Sequence, residues 1–437
     1  MTLILSIFFC FWRVKKLHLG KKILYYRKKK QLTQGELSLG ICSVPYLSKV
    51  ENDKIKPSLE ILELLSKKLG FVSSYLLQEE NNALSEKLLR WKEYLDLRNV
   101  NKSKIIHHEL LKLIRNEDNL DLLNLYELYY LQYILLINDS TVDTYDLNKF
   151  NSIEPFLQES YMYDFHKQLG RYYYRKNMLD KALECYLKIL KISDKKNNED
   201  YDFYFQLSLV YSRLLNPTKA LIYAHKALVG FEKQLNYQRA LECNLLLSII
   251  YNDLFSPEEA RDILMRMLKN NLPHYLPSDF EAKIYQNLGY SYFLLENFNQ
   301  ALTYFKKSYT YKKKNAEKLN SLYMSCLSLV KSSSIDYFEF YSSIDEGLRL
   351  SVSEKNKNYH YKFIVLKHSY KNKWNDSRFI DFIEKSILPE FTKNNDYHFL
   401  ITIYEGLQTY YQNNYHYKKA LFYFTQLENL KKRSIIQ

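Results

Sequence analysis

Glycine and proline are scarce in this sequence, and both shortages bear on the class of fold. The 437 residues include nine glycines and eight prolines. Because these residues interrupt regular structure, their scarcity favours long helices over strands and turns. Nine scattered glycines also form no glycine-rich phosphate-binding loop. The chain is long enough for two or more domains, so we expect an all-α protein of that size.

Cysteine is also sparse, and its five positions show no metal-binding or disulfide spacing. A scattered, odd number of cysteines without a C-x-x-C pair is typical of proteins in a reducing compartment. We therefore expect a cytoplasmic protein without structural disulfides or zinc. The residues are Cys10, Cys42, Cys185, Cys243 and Cys326.

Signatures of catalysis are missing as well. The stretch His107–Leu113 is similar to the H-E-x-x-H zinc motif, but Lys112 stands where the second histidine ligand is needed. No Ser/His/Asp or Cys/His combination is identifiable from spacing. We expect no enzyme activity, no metal and no cofactor.

The sequence also lacks an apolar run long enough to span a membrane. The apolar stretch Thr2–Trp12 is about half the length of a membrane span, and it lacks the basic start and small-residue cleavage site of a signal peptide. It is either a membrane anchor or the result of a start codon placed too far upstream. We favour the second interpretation, with residues 1–16 outside the fold and no membrane partner.

Positive charge is concentrated at the start of the chain. The formal net charge is +14, and residues 1–70 contain fourteen basic and five acidic side chains, a net +9. Such a local excess indicates a polyanionic partner such as nucleic acid, although a solvated basic face would look the same.

Helix-capping signals divide this basic region into short helices. Thr33 followed by Glu36 forms a capping box, and Ser43 is a second N-cap, with Pro45 tolerated in the first turn of its helix. Gly40 lies in the tight turn between them, and Gly70 ends a later helix that starts at Pro57-Ser58. Two short helices joined by a tight turn form a helix-turn-helix, whose second helix enters the DNA major groove. We assign residues 17–80 to this domain.

The spacing of these residues resembles the Cro/phage-repressor class of helix-turn-helix domains. The segment between Leu37 and Ser43 is one residue shorter than the general pattern. This short form is similar to the peptide-sensing transcription regulators of the Rap/NprR/PlcR/PrgX group. The matching residues are Thr33, Gln34, Leu37, Ser43, Leu47, Ser48, Glu51, Pro57, Ser58 and Leu62.

The resemblance implies which residues contact DNA. Gln34 would bind a phosphate, Asn52 and Lys54 would reach the backbone, and the remaining residues would face base edges. Those remaining residues are Ser43, Val44, Pro45, Tyr46 and Lys49.

A repeat fills the rest of the chain. A glycine or serine is followed twelve positions later by an alanine that starts an apolar run, first at Gly170 and Ala182. Later equivalents of the alanine occur every 38 to 41 residues, with weaker units expected near Tyr145 and Ile106. The small residues let two helices approach, and an aromatic after the alanine fills their joint. The later equivalents are Ala220, Ala260, Ala301, Phe340, Ile380 and Ala420.

This internal spacing is typical of tetratricopeptide repeats, although their usual period is about 34 residues. Armadillo-type repeats are the alternative for a period near 40, but the spacing of small residue and alanine argues against them. We predict that residues 81–437 form a superhelical stack of about nine tetratricopeptide-like helix pairs.

The concave side of such a stack, lined by the first helix of each pair, is a peptide-binding surface. Amide and guanidinium side chains there can hold peptide backbone and carboxylate groups. The candidates counted along the first helices are Lys167, Arg171, Tyr174, Asn244, Asn252, Gln286, Asn287 and Tyr290.

These features, with the resemblance, predict a quorum-sensing transcription regulator. It would bind a double-stranded operator through its head and a short signalling peptide through its repeats, and it would act as a homodimer formed by the repeat domain. Two other functions stay open: a repeat scaffold that binds a response regulator and promotes its dephosphorylation, and a phage- or plasmid-type repressor that uses no peptide.

Overall fold

The protein is all-α in the residues that the structure, a computed structural model, describes. These are residues 19–70, 82–115, 117, 119–137, 140–193, 199–269, 279–332, 336–372, 374–394 and 396–436. The predicted extension at residues 1–16 and the predicted domain boundary at residues 80 and 81 lie outside them. No strand occurs in the described ranges, as expected from the shortage of chain-breaking residues.

The described part of the basic head, residues 19–70, contains four helices: α1 (Leu19–Lys29), α2 (Gln34–Ser38), α3 (Val44–Glu51) and α4 (Leu59–Leu69). The predicted caps are confirmed. Thr33 and Glu36 form the capping box, the Ser43 hydroxyl accepts from the Tyr46 amide, and Gly70 ends α4 with a φ of 81°.

The head is closed by an apolar core and one tight helix contact. Leu47 and Val50 of α3 turn inward, as predicted, and join Ile23 of α1 and residues of α2 and α4. At Gly20, an added Cβ would lie 1.8 Å from the Val50 carbonyl oxygen. Only glycine therefore lets α1 approach the end of α3 this closely.

The chain forms two compact units, and the first spans residues 1–198. In this unit the head is followed by one regular and one irregular helix pair. Helices α5 (Asn82–Asp96) and α6 (Val100–Ile114) pair around the buried Trp91, whose indole donates to the Ser103 carbonyl at 3.1 Å. Helix α7 (Leu120–Ile137) is followed by two short helices, α8 (Thr141–Thr144) and α9 (Leu147–Ser152), and by 3-10 turns at Glu154–Phe156 and Glu159–Tyr161.

The irregular region lies where the sequence predicts a weaker repeat unit, near Tyr145. Tyr145 itself lies between α8 and α9, where a regular pair would have its second helix. Its hydroxyl and Lys149 both bond the buried carboxylate of Glu127 on α7. A buried carboxylate needs such partners, and here Tyr145 and Lys149 of α9 supply them. Helices α10 (Met162–Arg175) and α11 (Leu179–Ser193) then form a regular pair.

The second compact unit, residues 199–437, is a succession of helix pairs. Pairs α12 (Tyr201–Arg213) with α13 (Pro217–Lys233), α14 (Tyr237–Asp253) with α15 (Pro257–Lys269), and α16 (Phe280–Leu294) with α17 (Phe298–Tyr311) are regular. They are followed by α18 (Asn315–Lys331) with α19 (Tyr337–Ser353), and by α20 (Lys357–Asn372).

The next second helix is interrupted. Helix α21 (Ser377–Phe382) continues through a π-helical turn at Ile383–Ile387 into α22 (Leu388–Asn394). Pro389 has no N–H to donate to the preceding turn, and this local loss accounts for the wider turn. The unit ends with α23 (Tyr397–Asn413) and α24 (Tyr417–Ile436). Across both units the described residues contain the nine predicted pairs.

The joints of three repeats show why a glycine or serine lies twelve residues before the alanine. An added Cβ at Gly170 would lie 2.2 Å from the Tyr186 ring, and one at Gly289 would lie 2.6 Å from the Phe305 ring. Where the small residue is Ser208, its hydroxyl donates to the Ala220 carbonyl at 2.8 Å. The predicted role of the aromatic is therefore confirmed in the pairs of Gly170 and Gly289.

Three repeats carry the same tyrosine triad, which gives part of the chain's 42 tyrosines a structural role. Two tyrosines seven residues apart on the first helix stack on one tyrosine three residues after the alanine. Ring centroids are 5.4 to 6.2 Å apart, within the range of favourable aromatic contacts. The triads are Tyr204, Tyr211 and Tyr223; Tyr285, Tyr292 and Tyr304; and Tyr404, Tyr411 and Tyr423.

Candidate functional sites

The first candidate site is the outer face of α3. Leu47 and Val50 hold α3 against the core of the head. The residues predicted to face base edges therefore lie on the outer side of α3. Val44 is 43% exposed, Ser43, Pro45 and Lys49 are exposed, and Tyr46 is half-buried. The half-buried ring of Tyr46 both contacts the head core and reaches the surface.

A buried ion pair fixes α3 relative to α1 and α2. The Arg27 guanidinium makes two bonds to the Glu51 carboxylate, and the Gln34 amide donates to the same carboxylate at 2.7 Å. The Gln34 side-chain amide, predicted to bind a phosphate, is thus bonded inside the head.

The residues predicted to reach the DNA backbone lie at the end of α3. The Asn52 side chain donates to the Ser48 carbonyl at 2.8 Å and caps its own helix. Lys54 is exposed two residues later. The structure therefore brings the predicted reading residues and Lys54 to one end of the head, whereas Gln34 and Asn52 have structural bonds there.

The second candidate site is centred on Asn252 of α14. Its side chain is 3% exposed, and neither Nδ2 nor Oδ1 has a hydrogen-bond partner among the described residues. A buried amide without partners is rare because it loses its bonds to water and gains none in return. Asn252 can donate to the C=O and accept from the N–H of one residue in an extended ligand backbone.

An acidic group that the sequence did not single out lies beside this asparagine. Burial raises the pKa of the Asp253 carboxyl to about 7. The pKa of the Tyr290 hydroxyl on α16 is raised as well, first by burial and then by the negative charge of Asp253. Tyr290, which was predicted, and Asp253, which was missed, therefore sense each other electrostatically. Apart from its position next to Asn252, no feature of the sequence pointed to Asp253 as a site residue.

The other predicted residues of the second unit have different surroundings. Asn244 is half-buried two turns before Asn252 on α14. Asn287 donates to the Lys283 carbonyl of its own helix at 2.8 Å. The Gln286 oxygen accepts from Lys312 at 3.0 Å and from Ser321 at 2.5 Å, in a buried network where desolvation lowers the pKa of Lys312 to about 8.

The three predicted residues of the first unit lie on α10. Lys167, Arg171 and Tyr174 follow one another at one-turn intervals and are half-buried. Arg171 donates to the Gln168 oxygen at 3.2 Å, one turn before it. This spacing places the three side chains along one face of α10.

Two further observations concern the described residues alone. They contain no group of three or more His, Cys, Asp or Glu side chains arranged to hold a metal ion. None of their helices combines the length and the apolar character that crossing a bilayer requires.

Comparison with known proteins confirms both parts of the predicted architecture. The family described as "Helix-turn-helix" matches residues 23–77, and the family described as "Tetratricopeptide repeat" matches residues 166–196 and 282–315. The first match covers α3, and the second covers the pairs that contain Gly170 and Gly289.

Similarity extends along nearly the whole chain. The transcriptional activator NprA of Geobacillus stearothermophilus is 27% identical over 404 residues, which are 90% of this chain and 98% of that protein. The apo form of the quorum sensor NprR from B. thuringiensis has a TM-score of 0.68 and 18% identity, over 80% of this chain and 99% of that one. NprR in complex with its cognate peptide NprX has a TM-score of 0.64 with the same identity and coverage.

The structural matches show a shared fold, and the sequence match covers 90% of this chain. The predicted resemblance to the peptide-sensing regulators is therefore confirmed for the helix-turn-helix followed by tetratricopeptide repeats.

Proposed function

We propose that this chain is a peptide-responsive transcription regulator. Its head, residues 17–80, would bind operator DNA, and its repeat domain, residues 81–437, would bind a short signalling peptide and form a homodimer. NprA, which resembles it over most of its length, is named a transcriptional activator, and NprR is named a quorum sensor. A cytoplasmic location follows from this function.

The unpaired amide of Asn252 is the observation that carries the peptide-binding part. Leaving a buried polar group unpaired costs about 1–3 kcal/mol, and a ligand that pairs both atoms removes this cost. One residue of an extended peptide presents its N–H and its C=O on the same side of the chain, where they can bond the two polar atoms of an asparagine amide. Hydrogen bonds from the Asn252 amide to the peptide backbone do not depend on the peptide's sequence. The neighbouring side chains would therefore supply the selectivity.

Asp253 indicates a chemical property of the peptide, a positive charge. A carboxylate that is costly to ionise in the empty site becomes easier to ionise when a cation approaches it. We propose that the bound peptide brings an ammonium or guanidinium group to Asp253. The hydroxyl of Tyr290, already close enough to sense this carboxylate, would then face the same end of the peptide.

The head supports DNA binding through the exposed face of α3. Tyr46 and Lys49 would contact base edges, and Lys54 would contact a phosphate. The buried bonds of Arg27 and Gln34 to Glu51 would hold α3 rigidly, so that little ordering cost is paid when it enters the groove. Residues 17–80 carry eleven basic and seven acidic side chains, a net charge of +4, which would make DNA binding dependent on salt.

An apolar face on the last helix supports a dimer. Several apolar side chains of α24 and the turn before it point into solvent, although a terminal repeat normally presents a polar outer face. A second copy of the chain would cover them and would place two heads on two half-sites. The exposed side chains are Tyr415 (78%), Tyr417 (62%), Leu421 (65%), Phe422 (55%) and Phe424 (42%).

Selection from a library of short linear peptides tests the peptide-binding part. The full-length wild-type chain should retain a related set of peptides, and Asn252→Ala should retain none of them. Asn299→Ala removes an exposed asparagine of α17 and serves as the matched control, which should behave like the wild type.

The same purified proteins should then be mixed with genomic DNA fragments, with and without a selected peptide. A changed set or affinity of bound fragments on peptide addition supports the proposal. Specific DNA binding without any retained peptide would favour a peptide-independent repressor. Peptide binding without specific DNA binding would favour the scaffold function.

A further inference from the structure

A hydrogen-bond network fixes the orientation of one side-chain amide on α16. The Oε1 atom of Gln286 accepts from the Lys312 ammonium at 3.0 Å and from the Ser321 hydroxyl at 2.5 Å. The Lys312 ammonium also donates to the Ser321 hydroxyl at 2.8 Å. Since an ammonium can only donate, the amide oxygen of Gln286 must face Lys312, and its N–H2 group must point away from it.

This N–H2 group is open to a ligand. Gln286 is half-buried, no described residue accepts from its Nε2, and that atom is not among the buried polar atoms, so it faces solvent. Tyr290 lies one turn further along the same face of α16, and its hydroxyl senses the carboxylate of Asp253. The Gln286 donor therefore borders the peptide site proposed above, and the inference below rests on that proposed function.

The charge behind the Gln286 amide is positive. Lys312 is 9% exposed, and the two side chains that it bonds are both uncharged. Burial lowers the pKa of Lys312 to about 8, Lys283 of α16 lowers it further, and Glu317 of α18 acts in the opposite direction. No described carboxylate forms an ion pair with this ammonium. An anion that approaches the Gln286 amide therefore stabilises a charge that burial disfavours.

We propose that the signalling peptide places its C-terminal carboxylate on the N–H2 group of Gln286, in front of the Lys312 ammonium, and its cationic group at Asp253. Each charged group of the ligand then meets the opposite charge at its own end of the site. Gln286 contacts the carboxylate through a charge-assisted hydrogen bond. Lys312 is a positioning residue, because it acts through the amide that it orients and polarises.

The separation of the two ends sets the spacing of charges in the peptide. Gln286 and Tyr290 are one helical turn apart, about 5.4 Å, and packed helices such as α14 and α16 lie about 8–10 Å apart. These two steps together span about 10 Å, which corresponds to roughly three residues of extended chain. We therefore expect a lysine or arginine about three residues before the C-terminal residue.

The test uses the full-length chain and two libraries of synthetic hexapeptides with the same sequences. The C-terminus is a free carboxylate in one library and an amide in the other. Retained peptides are identified by mass spectrometry, and calorimetry then compares the acid and the amide of single sequences. The wild type should retain acids with a lysine or arginine about three residues before the end, and it should bind the matching amides at least tenfold more weakly.

Substitutions around the amide separate recognition of the carboxylate from packing. Gln286→Met keeps the length of the side chain but loses the N–H2 donor, so it should bind acid and amide alike. Gln286→Glu keeps an acceptor for Lys312 but turns a negative charge towards the peptide, so it should bind the acid more weakly than the amide. Lys312→Met should lower the preference for the acid. Lys313→Met, at the exposed lysine that follows, should keep the tenfold preference.

Three outcomes would overturn the inference. Equal affinity of the wild type for acid and amide would do so while leaving peptide binding in place. A tenfold preference that survives in both Gln286 variants would show that another residue binds the carboxylate. Retention of no peptide from either library would overturn the proposed function, and the inference with it. If Lys312→Met loses its helical circular dichroism, the Gln286→Glu result decides.

Discussion

Arg27 and Glu51 form a two-pronged ion pair in the centre of the head, with Nε to Oε1 at 2.6 Å and Nη2 to Oε2 at 2.9 Å. Glu51 is 1% exposed and Arg27 is 9% exposed. The third guanidinium nitrogen donates to the Leu32 carbonyl at 2.8 Å. This single pair joins α1, the loop before α2 and the end of α3, so the position of the DNA-reading helix depends on it.

Glu51→Gln should therefore destabilise the head strongly, although glutamine and glutamate are nearly equal in size. The substitution leaves the Arg27 charge buried without a counter-ion, a loss that typically costs about 3–5 kcal/mol. Hydrogen exchange should show faster opening of α1 and α3, whereas exchange in α12–α17 should stay unchanged. Exchange in α3 equal to that of the wild type would contradict the structural role of the pair.

Tyr46 and Lys49 should discriminate between operator and random DNA. Tyr46→Ala and Lys49→Ala should each weaken operator binding by about 1–3 kcal/mol if the side chains contact base edges. Lys54→Ala should weaken binding to all sequences alike and reduce the salt slope by about one unit. Fluorescence anisotropy at several salt concentrations measures both. An equal loss on operator and random DNA for Tyr46→Ala would make Tyr46 a packing residue.

Local signals along the chain were sufficient to predict most of the architecture. Caps act through bonds between neighbouring residues, so Thr33 with Glu36 and Ser43 could be placed from sequence alone. The twelve-residue step from Gly170 to Ala182 reflects contact between two consecutive helices. Both kinds of signal are short in sequence, and short-range patterns are the ones that a single sequence displays.

Contacts between distant elements could not be predicted in this way. The bond of Gln286 on α16 to Lys312, the residue after α17, joins positions 26 residues apart, and no spacing rule predicts it. The raised pKa of Asp253 comes from burial by neighbouring helices, which a single helix face does not reveal. The irregular region at Tyr145 follows from the buried Glu127, whose need for partners outweighs the regular repeat.

Leu235 offers a test of strain in the turns between helices. It is 68% exposed and has a φ of 53°, the left-handed conformation that follows many helices of this chain. This conformation costs a side-chain-bearing residue about 1–2 kcal/mol, while glycine adopts it freely but loses more entropy on folding. Leu235→Gly should therefore unfold at a higher denaturant concentration than Leu235→Ala, which keeps the strain. A less stable glycine variant would show that the Leu235 conformation is not strained.

The pH dependence of the protein should contain a contribution from Asp253. Its pKa is about 7 when folded and about 3.9 when unfolded, so between these values the folded state holds a proton that the unfolded state has lost. Stability should consequently fall as pH rises from about 4 to 7 and then level off. Asp253→Asn should remove this part of the slope.

Peptide binding should respond to pH in the opposite sense. If the peptide brings a cation to Asp253, affinity should rise as the carboxyl ionises through pH 7. Asp253→Asn should give a weaker affinity that does not change over this range. Calorimetry with a selected peptide at several pH values measures both. A wild-type affinity that falls with rising pH would rule out a cationic partner.

Asn252→Leu should separate stability from ligand binding. The substitution replaces a buried, unpaired amide by an apolar group of similar size, so it should remove a cost of about 1–3 kcal/mol and raise the stability of the peptide-free protein. It should also abolish peptide binding, because leucine has no polar atom to bond the peptide backbone.

The control is Asn216→Leu, at another buried asparagine (6% exposed), whose oxygen accepts from the Lys219 amide at 3.1 Å as a helix cap. That change should cost about 1 kcal/mol and leave peptide binding intact. Thermal unfolding and calorimetry on the same samples measure the two effects, and a destabilised Asn252→Leu protein that still binds peptide would assign Asn252 to packing between the repeats.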